Sequence, residues 1–242
     1  MAYHGYINLI CQHASIFNHP KVLEIGVDKG QTMFPVVNAL SRVCGSEGRD
    51  YLYTGIDVLL RDHVVISSAY INYANWNKEG VPDEKTAGLV DLRQGNSLDL
   101  LPQLIEQNFR YNIALIDGDH NYYTVKNELE YVSQLMVPKY GIIICDDYNG
   151  PGGTQDEYFS ELEGFYQESE RNENIDNLVK REDCDFGGKQ GVKAAVDEFI
   201  ENNEEWSLLN FEEKGEPVLL YRANFVGFNG NSMTYYSEED DA

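Results

Sequence analysis

Short apolar runs that end near glycine or aspartate recur along the chain, and segments of helical spacing separate them. Val22–Ile25, Tyr51–Asp57, Leu89–Arg93, Asn112–Asp117 and Gly141–Asp146 read as strands, the last a continuous apolar run of the kind buried on both faces. Between them, apolar residues recur at three- and four-residue intervals: Met33, Val36, Val37 and Leu40, then Leu98, Leu101, Leu104 and Ile105, then Val125, Leu129, Val132 and Met136. Val192, Ala195, Val196, Phe199 and Ile200 mark a further amphipathic helix, and Trp206–Asn210 and Pro217–Arg222 two last strands. This rhythm predicts an α/β chain: a doubly wound, mostly parallel seven-stranded sheet with helices on both faces. Pro35 falls in a first helical turn, where a missing N–H costs little, and Ser97 is placed as the N-cap of the helix after the third strand.

No repeat or Pro- or Gly/Ser-rich linker interrupts the pattern, so residues 1–223 are expected to form one domain. Residues 58–88 read as a polar, aromatic-rich insertion. Residues 148–190 read as a lid-like loop with a helix near Tyr158–Glu168, and 224–242 as a flexible acidic tail. With 41 acidic against 18 basic residues, the net charge is −23. Nucleic acid and anionic membranes are held by lysine and arginine, so neither is an expected partner. Four scattered cysteines without a C-x-x-C pair suit free thiols in a reducing compartment. The first residues lack a basic and then apolar leader, and no run is long enough to span a membrane, so a cytoplasmic location is expected.

In an open α/β sheet, ligands bind beyond the carboxyl ends of the strands. The first strand ends E-x-G-x-x-x-G over Glu24, Gly26, Asp28 and Gly30, either a structural turn or a loop that lets a ligand approach the backbone. Asp28 would repel a diphosphate and suits a cationic or zwitterionic cofactor. Asp57 is placed to accept hydrogen bonds from ribose hydroxyls or to cap a helix. Asn96 and Ser97 could meet an adenine edge or simply make a turn. Asp117, Asp146 and Asp147 close the fourth and fifth strands; carboxylates converging there repel unless a cation sits among them. Oxygen ligands favour Mg²⁺, then Mn²⁺ or Ca²⁺, with helix capping as the alternative. For His120, the roles of base, substrate contact and structural hydrogen-bonder all stay open.

The segments VLEIGVDKG, GID at 55–57, QGNS at 94–97, LIDGDHNYYTVKNELE, GIIICDDYNGPG and GVKAAVDEF, in that order, resemble the S-adenosylmethionine-dependent O-methyltransferases. They are most similar to the metal-dependent sugar O-methyltransferases of the macrocin and mycinamicin type, with catechol O-methyltransferase a more distant relative. The resemblance covers about residues 20–150 and 190–222. It implies a Rossmann-like class I methyltransferase fold and S-adenosylmethionine as cofactor. It implies Asp117, Asp146 and Asp147 as Mg²⁺ ligands, with Asp117 doubling as general base. The Glu24–Gly30 loop would hold the methionine end and Asp57 the ribose. The acceptor would be a small-molecule or sugar hydroxyl, and the enzyme an oligomer. Two rivals are an NAD-linked oxidoreductase, disfavoured by Asp28 and the missing third glycine, and a non-catalytic metal- or nucleoside-binding module.

Overall fold

The computed structural model describes residues 4–46, 48–76, 88–184, 186–210, 217–222, 228–229 and 232–233. A seven-stranded sheet forms the middle layer. Its strands are β1 (Lys21–Ile25), β2 (Leu52–Asp57), β3 (Leu89–Gln94), β4 (Ile113–Ile116), β5 (Ile142–Cys145), β6 (Trp206–Asn210) and β7 (Val218–Arg222), in the spatial order β3-β2-β1-β4-β5-β7-β6. Only β7 runs against the others; it pairs antiparallel with both β5 and β6. The class expected from the sequence is the one found.

Each central strand feeds two cores because successive side chains point to opposite faces. Leu23, Ile25, Ala114, Ile116, Ile143 and Cys145 face one core. Val22, Ile113, Leu115, Ile142 and Ile144 face the other. This is why β4 and β5 read as unbroken apolar runs. The first core is closed by α4 (Ser97–Glu106), α5 (Tyr122–Leu135) and α7 (Gly191–Asn202), through side chains such as Leu101, Leu129 and Val196. The second is closed by α1 (His4–Ala14), α2 (Met33–Ser46) and α3 (Asp62–Trp76), through side chains such as Ile10, Val37 and Val64. Burying each such side chain contributes about 1.5–3 kcal/mol.

Several local expectations change. Residues 62–76, expected within an insertion, form α3, the crossover helix that returns β2 to β3. Its exposed Ile66, Tyr70 and Tyr73 leave no polar face, which hides the helical period. Residues 77–87 of that segment lie outside the described residues. The helix expected near Tyr158–Glu168 is a series of turns, with Gly164 at φ 78°; the helical piece of the lid is the short α6 (Glu173–Asp176). Asn96, not Ser97, caps α4, its side chain accepting from the Leu98 N–H at 3.0 Å. Within the expected tail, Phe228–Asn229 pairs with Ser232–Met233, and its acidic end lies outside the described residues. All four cysteines are free. No helix among the described residues is long and apolar enough to cross a membrane.

Candidate active site

Register brings the strand ends to one rim. Ile25 pairs with Ile56 on one side and Ile116 on the other, and Ile116 pairs with Cys145. The next residues therefore abut: the Gly26 N–H donates to Ile56 O, the Asp117 N–H to Ile25 O and the Asp146 N–H to Ile116 O. Strand order reverses between β1 and β4, and a cleft of roughly 340 Å³ opens there. Gly26 is required at this point. Its φ is 90°, and a Cβ would sit 1.9 Å from the Asp117 carbonyl oxygen.

The cleft is lined by carboxylic side chains. Glu24, Asp28, Asp57, Asp117, Asp147 and Glu157 ring it, and the buried Asp119 and Glu128 stand behind. Against these eight stand Lys29, Arg61 and His120. Of the residues singled out in the sequence, Glu24, Gly26, Asp28, Asp57, Ser97, Asp117, His120 and Asp147 line the cleft. Gly30, Asn96 and Asp146 are not among its lining residues: Gly30 turns the loop, Asn96 caps α4 and Asp146 is buried behind the rim.

Glu24 is buried and accepts a hydrogen bond from the Tyr53 hydroxyl; burial, then the charges of Asp117 and Asp57, raise its pKa well above the usual carboxylate range. Asp57 holds the glycine-bearing loop. Its Oδ2 accepts from the Asp28 N–H and its Oδ1 from the Leu59 N–H, both at 2.8 Å. Burial raises its pKa and these backbone bonds lower it. Each oxygen keeps a second lone pair for a ligand. Asp28 sits at φ 39° and Asp147 at φ 56°, left-handed conformations unusual for side-chain-bearing residues.

His120 lies between two carboxylates. Its Nδ1 is 2.9 Å from Asp147 Oδ2 and its Nε2 is 3.5 Å from Asp117 Oδ1, and neither nitrogen has a partner at hydrogen-bond geometry. Burial lowers its pKa, but the two carboxylates outweigh that and lift it to about 10, so the ring carries a proton and offsets their charge. Asp117, His120 and Asp146 each offer a donor atom, all within 4.8 Å of one another. Asp146 Oδ1 is buried without a hydrogen-bond partner, and burial plus the Asp117 charge push the Asp146 pKa up. Two carboxylates around an orphaned oxygen fit a divalent cation, and the His120 nitrogen joins them only if it loses its proton. Asp147 stands on the far side of His120, grouped with Glu157, so the three expected carboxylates do not form one cluster.

The lid closes the cleft with residues that sequence reading missed. The Phe159 N–H donates to Asp119 Oδ1 at 2.8 Å and the Glu157 N–H to the His120 carbonyl at 3.1 Å. Phe159 meets the His120 ring edge-on at 5.2 Å and stacks on Phe165 at 4.6 Å. Arg61 pairs with Glu170 of the lid and approaches Asp28 Oδ1 at 3.5 Å. Asp156 Oδ1 accepts from the first N–H groups of both α5 and α7, Tyr122 and Gly191, each at 2.7 Å. The aromatic spacing in 158–166 was the one available signal, and it reads equally as a helix face.

Residues 23–148 match the family model described as a methyltransferase domain. No curated protein matches the sequence. Among solved structures, the apo TDP-rhamnose 3′-O-methyltransferase CalS11 of calicheamicin biosynthesis is similar at a TM-score of 0.56 and 12% identity, over 90% of this chain and 76% of that one. TomG from Streptomyces achromogenes, an O-methyltransferase of tomaymycin synthesis solved with SAM, gives 0.54 and 13%, over 92% and 81%. The methyltransferase MycE of mycinamycin biosynthesis, solved with Mg, SAH and mycinamycin VI, gives 0.51 and 14%; this chain is covered to 94% but spans about half of MycE, 52%. At such identities the structures share the fold alone. The family model, however, takes in more than half of the 242 residues, and the chain belongs to the methyltransferase-domain family.

Proposed function

We propose that this protein transfers the methyl group of S-adenosylmethionine to a hydroxyl of a small molecule or sugar, with a divalent cation, Mg²⁺ first, assisting. The observation that carries the reading is the sign of the cleft at the switch point of the sheet: Asp28, Asp57, Asp117, Asp147 and Glu157 stand against Lys29, Arg61 and His120, with Glu24, Asp119 and Glu128 pushed towards the neutral acid by burial. Such a cleft attracts a sulfonium and repels the pyrophosphate of a dinucleotide. CalS11 is described as a sugar O-methyltransferase and TomG was solved with SAM, in keeping with this chemistry.

Asp57 would take the ribose hydroxyls and the Glu24–Gly30 loop the methionine end. Asp117 and Asp146 would hold the cation, with Asp147 and Glu157 alongside; when bound, it would lower the pKa of an acceptor hydroxyl. The acceptor oxygen attacks the methyl carbon, the carbon–sulfur bond breaks with its electron pair left on sulfur, and the hydroxyl proton passes to Asp117 Oδ. The protonated His120 orients Asp117 and Asp147 from between them. Phe159, Phe165 and Tyr166 give the acceptor an apolar, water-poor wall.

A thermal-shift titration tests the reading. S-adenosylhomocysteine at a hundred times its Kd should add about 2.7 kcal/mol of stability. Mg²⁺ should raise the melting temperature further, and Asp57→Ala should shrink the nucleoside shift. Stabilisation by NAD without any by S-adenosylhomocysteine would overturn the assignment.

A further inference from the structure

The outward face of α3 has no part in the chemistry above. Ile66, Tyr70 and Tyr73 are 68%, 72% and 66% exposed. With Ala69 they recur at three- and four-residue intervals, so they form one stripe along the helix, flanked by the exposed Val65 and Ala74. From Val64 to Trp76 the sequence has no charged residue, in a chain of which 24% is charged. A helix on the surface of a folded domain ordinarily turns charge to the water, and a bare apolar stripe marks an interaction surface. The sequence that follows, residues 77–87, carries Lys78, Glu79, Asp83, Glu84 and Lys85, with Val81 its one large aliphatic side chain, a poor apolar cover. The neighbouring sheet edge offers little to a partner strand. Asn72 of α3 accepts from the Val90 N–H at 2.8 Å and donates to the Val90 carbonyl at 2.9 Å, occupying both backbone groups of that residue of β3. The helix face itself is the docking element.

We infer that this face binds a second copy of the chain, as a two-fold pair of α3 helices. The occupant follows from charge. At a net charge of −23, two copies repel wherever their acidic surfaces meet, and the repulsion reaches about 8 Å through physiological salt. They come together at least cost over a face without carboxylates, and Val64–Trp76 is such a face. A basic protein, the partner that so acidic a chain otherwise attracts, is drawn to the acidic surfaces and gains nothing here. The stripe is also complementary to itself. A two-fold axis over the middle of the helix, between Ala69 and Tyr70, sets Tyr70 against the partner's Ala69, Val65 against the partner's Ala74 and Ile66 against the partner's Tyr73. In the first two of these pairs a small side chain receives a larger one, which lets antiparallel helices interdigitate. One helix per subunit covers less than the roughly 1,200–2,000 Å² of a standard interface, so the pair should be weak and reversible.

Sedimentation velocity on the full chain, over roughly a hundredfold range of concentration, tests this. Wild type should pass from monomer towards dimer as concentration rises. Added salt should strengthen the dimer, because it screens the repulsion and leaves apolar contact intact. Ile66→Glu and Tyr70→Glu each set a carboxylate against the partner's stripe and should weaken association at least tenfold. Ile16→Glu, at an exposed apolar residue outside α3, should leave it unchanged. These side chains lie outside both cores, so circular dichroism should show the native fold; Tyr73→Glu replaces a glutamate variant that does not fold. A wild type that stays monomeric throughout the range overturns the inference, whether the chain's own C-terminal residues, a lipid surface or a different protein then covers the face. So does a dimer that survives both glutamate variants, one that salt dissolves, or growth beyond two subunits.

Discussion

At the scale of single residues, Asp117 carries the most. Its backbone is fixed by the N–H bond to Ile25 and its side chain faces His120 and Asp146. Asp117→Asn keeps an oxygen for the cation but removes the basic site. Turnover should therefore drop about 10²–10⁴-fold while metal affinity falls modestly. Asp117→Ala should damage both. A helix cap would tolerate asparagine, so near wild-type turnover in Asp117→Asn would leave this residue structural. Much of this was legible in the sequence, because an aspartate at the end of a buried strand can point only at the rim. The partner of Asp147 was not legible. Its position across His120 depends on a left-handed backbone at φ 56°, which residue type alone does not reveal. The contacts of Glu128 and Asp156 were equally hidden, since each reaches across at least thirty positions, to Ser97 for one and to Gly191 for the other.

At the scale of elements, Arg61 makes the ion pair that ties the lid to the start of α3, beside the hydrogen bonds of Asp156, Glu157 and Phe159. It joins α3 at its start to Glu170 and reaches Asp28. Both pair members are partly shielded, at 17% and 29% side-chain exposure. A double-mutant cycle of Arg61→Ala and Glu170→Ala should show coupling of about 0.5–1 kcal/mol. Either variant should raise the KM for the acceptor more than it lowers kcat, and speed proteolysis between 154 and 184. Additive effects of the two would mean the lid is held elsewhere. The strands of the sheet were readable because both faces of β4 and β5 are covered, whereas α3 and the lid were not. In α3 the outward face bears Val65, Ile66, Tyr70 and Tyr73, so no amphipathic stripe marks it. In the lid, Phe159 stacks on Phe165 and meets His120 edge-on without regular backbone beneath them.

For the whole molecule, buried titratable groups make stability depend on pH in opposite senses. His13 is buried, its Nε2–H donating to the Tyr140 carbonyl at 2.6 Å, and burial lowers its pKa to about 4. The unfolded chain takes up that proton near pH 6.5 and the folded one does not, so the His13 contribution is whole above pH 6.5 and fades as pH falls towards 4. The advantage of wild type over His13→Gln should shrink by about 3 kcal/mol across that window. Burial raises Asp119 to about 7 and Glu128 to about 8, so their cost grows as pH rises from the unfolded carboxyl value of about 4 up to those values and is constant above them. Denaturant melts of Glu128→Gln should thus gain on wild type from pH 5 to pH 8, and a constant difference over that window would exclude a raised Glu128 carboxyl.

The reversed strand β7 has a consequence for synthesis. It slots between β5 and β6, so β5, the strand that leads into Asp146 and Asp147, has no neighbour on that side until residues 218–222 have been made. While the ribosome still holds the C-terminal hairpin, the nascent chain presents Ile142–Cys145, four apolar residues in a row, as an open edge. A growing chain with such an edge is exposed to intermolecular pairing, and chaperones have reason to wait on it. A product stopped at residue 216 should aggregate rather than accumulate as a weakened enzyme, because the last strand seals the site-bearing half of the sheet from its neighbours in the cell.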